Sequence, residues 1–183
     1  MLQPPPPFTL RPLRLDDLDT VIAIERASFP NPARVQLYQH ELAHNELAHY
    51  QALTVGQDGR AEQLVGYAGY WLMGDELHVS IIAVDPPWRG HGLGELLLLN
   101  LLYLAYDHAS ALVTLEVRAG NHVAQALYRK YGFDLVGERR RYYRDTGEDA
   151  LLMTVVLADA PAQRAQLDRQ RDALWQRLSG AHF

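Results

Sequence analysis

Between an apolar run at residues 78–84 and a leucine-rich run starting at Leu93, the chain reads Asp85-Pro86-Pro87-Trp88-Arg89-Gly90-His91-Gly92-Leu93-Gly94. Consecutive prolines end a strand, because each lacks the N–H that a ladder needs. Three glycines at alternate positions then permit left-handed backbone just before a helix. In a strand–turn–helix unit of this kind, backbone N–H groups converge at a helix N-terminus, where the dipole also favours negative charge. That is an anion cradle suited to a pyrophosphate, and Arg89 adds a fixed positive charge at its mouth. A side chain at Gly92 is expected to fill the cradle. The plainer reading is a glycine turn with no ligand. The phasing excludes commoner phosphate loops. A dinucleotide fingerprint counted from Gly90 or Gly92 needs glycine where Glu95 or Leu97 stands, and a Walker loop needs a lysine after glycine, whereas the only lysine is Lys130.

A chain of 183 residues suits one domain with a sizeable core. Its net charge of −5 argues against a general nucleic-acid binder. The absence of cysteine excludes disulfides, thiolate catalysis and cysteine zinc sites, and fits a reducing, cytoplasmic setting. Eight histidines show no metal-ligand spacing, so no metal is expected. Residues 1–7 show no basic and apolar regions of a secretory signal. The leucine run at residues 93–105 is too short to span a membrane and contains Glu95 and Asn100.

Residues 1–7 read as a disordered lead-in, 8–157 as the catalytic domain and 158–183 as a C-terminal helical extension. Periodicity and turn chemistry predict a strand at 8–15, a helix capped by Asp16 to about Ser28, and a helix at 33–46. Strands follow at 50–55, 63–73 and 76–84, joined by turns at Gln57-Asp58-Gly59 and Gly74-Asp75. A helix over 92–108, a strand over 112–117, a helix capped by Asn121 and ended by Gly132, and strands at 133–144 and 149–157 complete the pattern. The fold class is α/β, a mixed central sheet flanked by helices. The amphipathic helix at 161–178 reads equally as a packed cap, a dimer helix or a mobile tail.

Two segments carry chemistry. In Leu115-Glu116-Val117-Arg118, strand alternation puts Glu116 and Thr114 on one face, opposite Leu115 and Val117. A carboxylate inside a sheet is costly unless solvated, paired or used. Glu116 is therefore either a paired strand-end acid or a general base acting through water on an amine. Tyr128 lies seven positions after Asn121, two turns along one helix face. An aromatic there is ordinarily core, but a phenol of pKa about 10 can also protonate a departing thiolate of pKa about 8.5. His78, alone in a strand, reads as structural, the alternative being a second base. Arg139, Arg140, Arg141 and Arg144 read as a solvated strand edge or a basic rim facing an acidic partner.

The loop Arg89-x-x-Gly92-x-Gly94, the strand Leu-Glu-Val-Arg and the helix Asn121-x-x-Ala124-x-x-Leu127-Tyr128-x-x-x-Gly132-Phe133 occur in an order and spacing that resemble the GNAT superfamily of N-acetyltransferases. The resemblance covers about residues 8–157. Glu25-Arg26-Ala27-Ser28-Phe29-Pro30, Ile82-Ala83-Val84-Asp85-Pro86 and Arg141-Tyr142-Tyr143 before Glu148-Asp149-Ala150 are similar to the bacterial ribosomal-protein alanine N-acetyltransferases of the RimI type. The resemblance implies acetyl-coenzyme A as co-substrate, Glu116 as base and Tyr128 as acid. It implies that Arg89, Gly90, His91, Gly92, Leu93 and Gly94 hold the pyrophosphate. Ile82, Ala83 and Val84 would pair with the pantetheine arm, a backbone N–H near Val84 would polarise the thioester, and Asn121 would touch the arm. Phe29, Pro30, Tyr142 and Tyr143 would border a groove for a protein N-terminus, with a ribosomal protein as partner. Two departures stand out. Asn31-Pro32-Ala33 replaces the tryptophan common after Phe-Pro, and the C-terminal extension is longer than compact members need. An acetyltransferase for a small amine, marked by a narrow acidic pocket, and a non-catalytic acetyl-coenzyme A-binding module remain the alternatives.

Tyr142 and Tyr143 occupy adjacent strand positions. Their side chains are expected on opposite faces unless a bulge intervenes.

Overall fold

The apolar runs at the middle of the chain form two long antiparallel strands, and the remaining elements are laid around them. The computed structural model describes residues 1–56, 62–157 and 161–180. The elements are β1 (Phe8–Pro12), α1 (Leu18–Ser28), α2 (Val35–His44), β2 (Ala48–Val55), β3 (Gln63–Met73), β4 (Glu76–Val84), α3 (Leu93–Asp107), β5 (Leu112–Arg118), α4 (His122–Lys130), β6 (Asp134–Tyr143), β7 (Glu148–Val156) and α5 (Pro161–Ser179). The seven strands lie in the order β1-β2-β3-β4-β5-β7-β6, and β4–β5 is the parallel pair. The Gln57-Asp58-Gly59 turn lies outside the described residues. No helix among the described residues is long and apolar enough to cross a membrane.

The sheet separates two cores. On one side Val21, Ile24 and Tyr38 of α1 and α2 pack with Ala52, Tyr67 and Ala83. On the other, α3 packs with Leu53, Val65, Leu77, Val113 and Met153. Helix α3 is buried all round, from Leu93 to Ala105. Such a helix needs cover on both sides. The sheet supplies one side and Leu167, Leu174 and Leu178 of α5 join the same core on the other. Of the three readings of the C-terminal helix, the structure therefore places it as a packed cap.

Four expectations need correction. The first strand stops at Pro12, and a 3₁₀ turn at Leu15–Asp17 precedes α1. Asp17, not Asp16, organises that entry: its carboxylate accepts the Arg14 N–H at 2.7 Å and the Arg11 guanidinium at 2.7 and 2.8 Å. Residues 1–7 are not a loose lead-in, for Leu2 packs against the core and its N–H donates to Asn100 Oδ1 at 2.9 Å. Helix α2 begins at Val35 rather than 33, because the Ala33 N–H is drawn to the Glu25 carboxylate at 2.9 Å.

What positions the site is the parting of β4 and β5. They pair from Glu76↔Leu112 to Val79↔Leu115 and no further, although β4 runs to Val84 and β5 to Arg118. The β3–β4 register slips between Gly69↔Ile81 and Tyr70↔Val79, leaving Ser80 as the extra residue. A bulge bends its strand, and this one turns β4 away from β5. Gly69 is required there, since a Cβ would lie 2.5 Å from Tyr50 Cε1 and 2.8 Å from Ser80 Oγ.

Candidate active site

The parted strands open into a groove of about 950 Å³. Ile82 of β4 and Glu116 of β5 flank the opening, and Asn121 and Tyr128 of α4 also line it. One wall is Phe29 with residues 31–34, and the other is Tyr142–Asp145 of the β6–β7 hairpin. Seven of the residues singled out from sequence, Phe29, Ile82, Glu116, Asn121, Tyr128, Tyr142 and Tyr143, thus share one surface. Pro30 does not line it, though Asn31 and Pro32 do. Ala83 is buried against α1 and α2 and leaves its backbone alone for a ligand.

Both tyrosines reach the groove because β6 is bulged. Arg139 opposes Ala150 while Tyr143 opposes Glu148, so the strand carries two extra residues, with Arg141 left-handed at φ 51°. The Arg141 N–H donates to Asp149 Oδ1 at 2.6 Å, which holds the kink. The rings of Tyr142 and Tyr143 meet edge to face at 5.2 Å. Arg118 stacks 3.9 Å above the Tyr143 ring and donates to Asp145 at 2.7 Å and Glu148 at 3.2 Å, bracing the hairpin.

Glu116 is paired on both sides. Its Oε2 lies 3.2 Å from His78 Nε2, and its Oε1 lies 3.2 Å from Arg139 Nη1. His78 and then Arg139 hold its carboxyl below the usual carboxylate range, although desolvation pulls the other way. Thr114 donates to Glu76, so His78 Nδ1, at 2.8 Å, is the donor to Thr114. His78 Nε2 then faces Glu116 Oε2, so the two groups are placed to pass a proton between them. The sequence alone shows His78 as a strand histidine, structural or a second base, without its partner. The signal lay in the parallel register His78↔Thr114, which no local pattern encodes. Arg139 likewise separates from the solvated arginine cluster: it pairs with Glu116 and lies 5.4 Å from the Tyr142 ring centroid.

Burial pushes the Tyr128 phenol up to about 12, so it remains a proton donor at neutral pH. Its ring packs on Phe133 at 5.7 Å. Asn121 caps α4 as expected, accepting the Ala124 N–H at 3.1 Å. Gln125, missed in the sequence, ties this turn to β5 by donating to the Arg118 and Ala119 carbonyls at 3.2 and 2.8 Å.

The glycine turn lies at the far end of β4. Gly90 and Gly92 have φ of +82° and +84°, and Gly92 caps α3 without a side chain. The first helical bond is Leu96 N–H to the Gly92 carbonyl, and the N–H groups of Leu93, Gly94 and Glu95 have no acceptor among the described residues. Open donors at a left-handed glycine cap fit a pyrophosphate, and the unpartnered β5-facing edge of β4 fits an extended amide-bearing arm. One expectation changes. Arg89 is a brace, its Nε donating to the Val84 carbonyl at 2.9 Å and its Nη2 to Ser28 Oγ at 2.7 Å. A Cβ at Gly92 would also meet Leu174 Cδ1 of α5 at 3.2 Å.

Residues 18–133 match the Acetyltransferase (GNAT) family. The chain belongs to that family. Family membership makes it an acetyl-coenzyme A-dependent N-acetyltransferase. It is 41% identical over 148 residues to a putative [ribosomal protein bS18]-alanine N-acetyltransferase of Bacillus subtilis, spanning 81% of this chain and 95% of that protein. It is 39% identical over 155 residues to the N-alpha-acetyltransferase RimI of Mycobacterium tuberculosis, spanning 80% and 91%. Among solved structures, the ribosomal-protein-S18-alanine N-acetyltransferase of Escherichia coli superposes with a TM-score of 0.73 at 31% identity, over 84% of this chain and 96% of that one.

Proposed function

We propose that this N-acetyltransferase acts on the α-amine of a protein N-terminus, with the alanine of ribosomal protein bS18, named for its relatives, as the acceptor. The observation that carries the reading is the groove itself. It is broad and open, and walled by Phe29 and the Tyr142–Tyr143 pair, with Glu116 and Tyr128 both on its lining. A small-amine enzyme would call for a narrow acidic pocket. The buried carboxylates on this lining are committed elsewhere: Glu25 accepts from Tyr38 at 2.7 Å and Tyr67 at 2.5 Å, and Glu41 accepts from Tyr50.

The co-substrate supplies an acetyl group activated as a thioester. The N–H groups of residues 93–95 hold its pyrophosphate and the free edge of β4 its arm. Glu116 receives the amine proton through water and shares it with His78. Thr114 and Glu76 extend that chain of hydrogen bonds to the start of β4. Tyr128 donates its phenolic proton to the departing sulfur. An α-amine suits a carboxylate base: at pH 7 roughly a tenth of α-amines are neutral, against fewer than about one lysine in a thousand.

The test uses an alanine-initiated peptide carrying one internal lysine. Acetylation is expected at the first residue alone, and blocking that amine should abolish turnover. Efficient acetylation of the blocked peptide refutes the α-amine reading, and turnover of small polyamines alone favours the small-amine enzyme.

A further inference from the structure

Glu95 stands in the first turn of α3, three residues past Gly92, and places a carboxylate beside a cradle built for an anion. An acid at this helix position ordinarily turns back to the first-turn N–H groups and caps them itself. Here it is held away. Its Oε1 accepts from Lys130 and from the Tyr131 hydroxyl, the latter at 2.7 Å, and its Oε2 accepts from Arg177 Nη2 at 2.7 Å. Desolvation raises its pKa, since its side chain is only 9% exposed, but the bonds from Lys130, Arg177 and Tyr131 outweigh this and keep it ionised.

Lys130 and Tyr131 come from the end of α4, but Arg177 comes from α5. That helix lies along α3, with Gln163 beside Tyr106, Asp168 on Tyr103 and Leu174 against Gly92. Gln170 also donates to the Lys130 carbonyl at 2.9 Å, tying α5 to the end of α4. The family match ends at residue 133, well before α5.

We propose that α5 is part of the coenzyme-binding apparatus. Arg177 is a positioning residue that, with Lys130, draws Glu95 off the N-terminus of α3 and neutralises it. The N–H groups of residues 93–95 then stay open to the pyrophosphate. The proposal rests on the coenzyme reading of the glycine turn.

Calorimetry of coenzyme A binding to the full chain tests it. Arg177→Ala is expected to weaken binding roughly two- to fivefold, the range for one charge in a first helical turn. Adding Glu95→Gln should restore affinity, because the charge needing control is gone; a purely structural role for Arg177 would show no such rescue. The same loss is expected with coenzyme A lacking its ribose 3′-phosphate. A loss that vanishes with that ligand, or persists in the double variant, means Arg177 contacts the ligand or serves stability alone, and overturns the proposal. If Arg177→Ala fails to fold, Glu95→Gln alone decides: it should bind at least as tightly as wild type, and weaker binding overturns the proposal. Failure of wild type to bind either ligand removes the coenzyme reading itself.

Discussion

Glu116→Gln keeps the shape of the site and removes its base. The amide oxygen still accepts from Arg139, 3.2 Å from the present carboxylate oxygen, so the groove should hold its form and KM for the peptide should change little. General-base catalysis contributes about 10²–10⁴-fold, so a loss on the order of 100-fold is expected at pH 7. The wild-type carboxylate, held below the usual range by His78 and Arg139, is ionised throughout the neutral and alkaline range. The variant must instead wait for an amine that is already neutral. For an α-amine of pKa about 8, that fraction rises from roughly one tenth at pH 7 to about nine tenths at pH 9. The defect should therefore shrink from about 100-fold to about tenfold across those two pH units. Initial rates of thiol release with an alanine-initiated peptide and saturating acetyl-coenzyme A give the profile. A ratio of wild type to variant that stays constant with pH, or lies within about twofold of unity, would show that the proton leaves by another route.

Tyr128→Phe should lower kcat by about 10- to 100-fold while leaving coenzyme A affinity unchanged in calorimetry; because the phenol sits at about 12, no limb of the wild-type pH profile below about pH 11 should belong to it. Gly92→Ala should cost about 1–2 kcal/mol for left-handed backbone plus a clash with Leu174, and Gly90→Ala the backbone part alone, since nothing lies within 4 Å of its Cβ. Scanning calorimetry should show the larger drop in Tm for Gly92→Ala, and Leu174→Ala should erase the difference. Asp17→Asn should cost about 2 kcal/mol, or some 4–8 °C in Tm. Burial alone raises the Asp17 carboxyl, but Arg11 and the Arg14 N–H bring it below its unfolded value. Its stabilisation is thus present above about pH 4 and lost as pH falls through the folded value. Acid titration of Tm should accordingly be flatter in the variant.

The order of strands and helices was legible in the chain because each rests on local physics: two-residue alternation in β5, an Asn121 cap, glycine stops, and a Pro-Pro break before a glycine turn. The turn's spacing also singled out its ligand class. Glu116 stood out because a carboxylate in an apolar strand is unusual within a few residues, whereas Tyr128 was singled out by the resemblance of its helix to the GNAT pattern. What tertiary structure decided are meetings between residues far apart in sequence. His78 reaches Glu116 only through the parallel register of β4 and β5, 38 positions apart. Tyr142 and Tyr143 share the groove only because a bulge held by Asp149 defeats the alternation that would have parted them. The all-round burial of α3 was written in its leucines, but the partner covering its outer face was not. That partner, α5, binds through a few long-range contacts, among them Leu174 on Gly92 and Arg177 on Glu95, and a residue's nearest neighbours in sequence carry no information about such contacts.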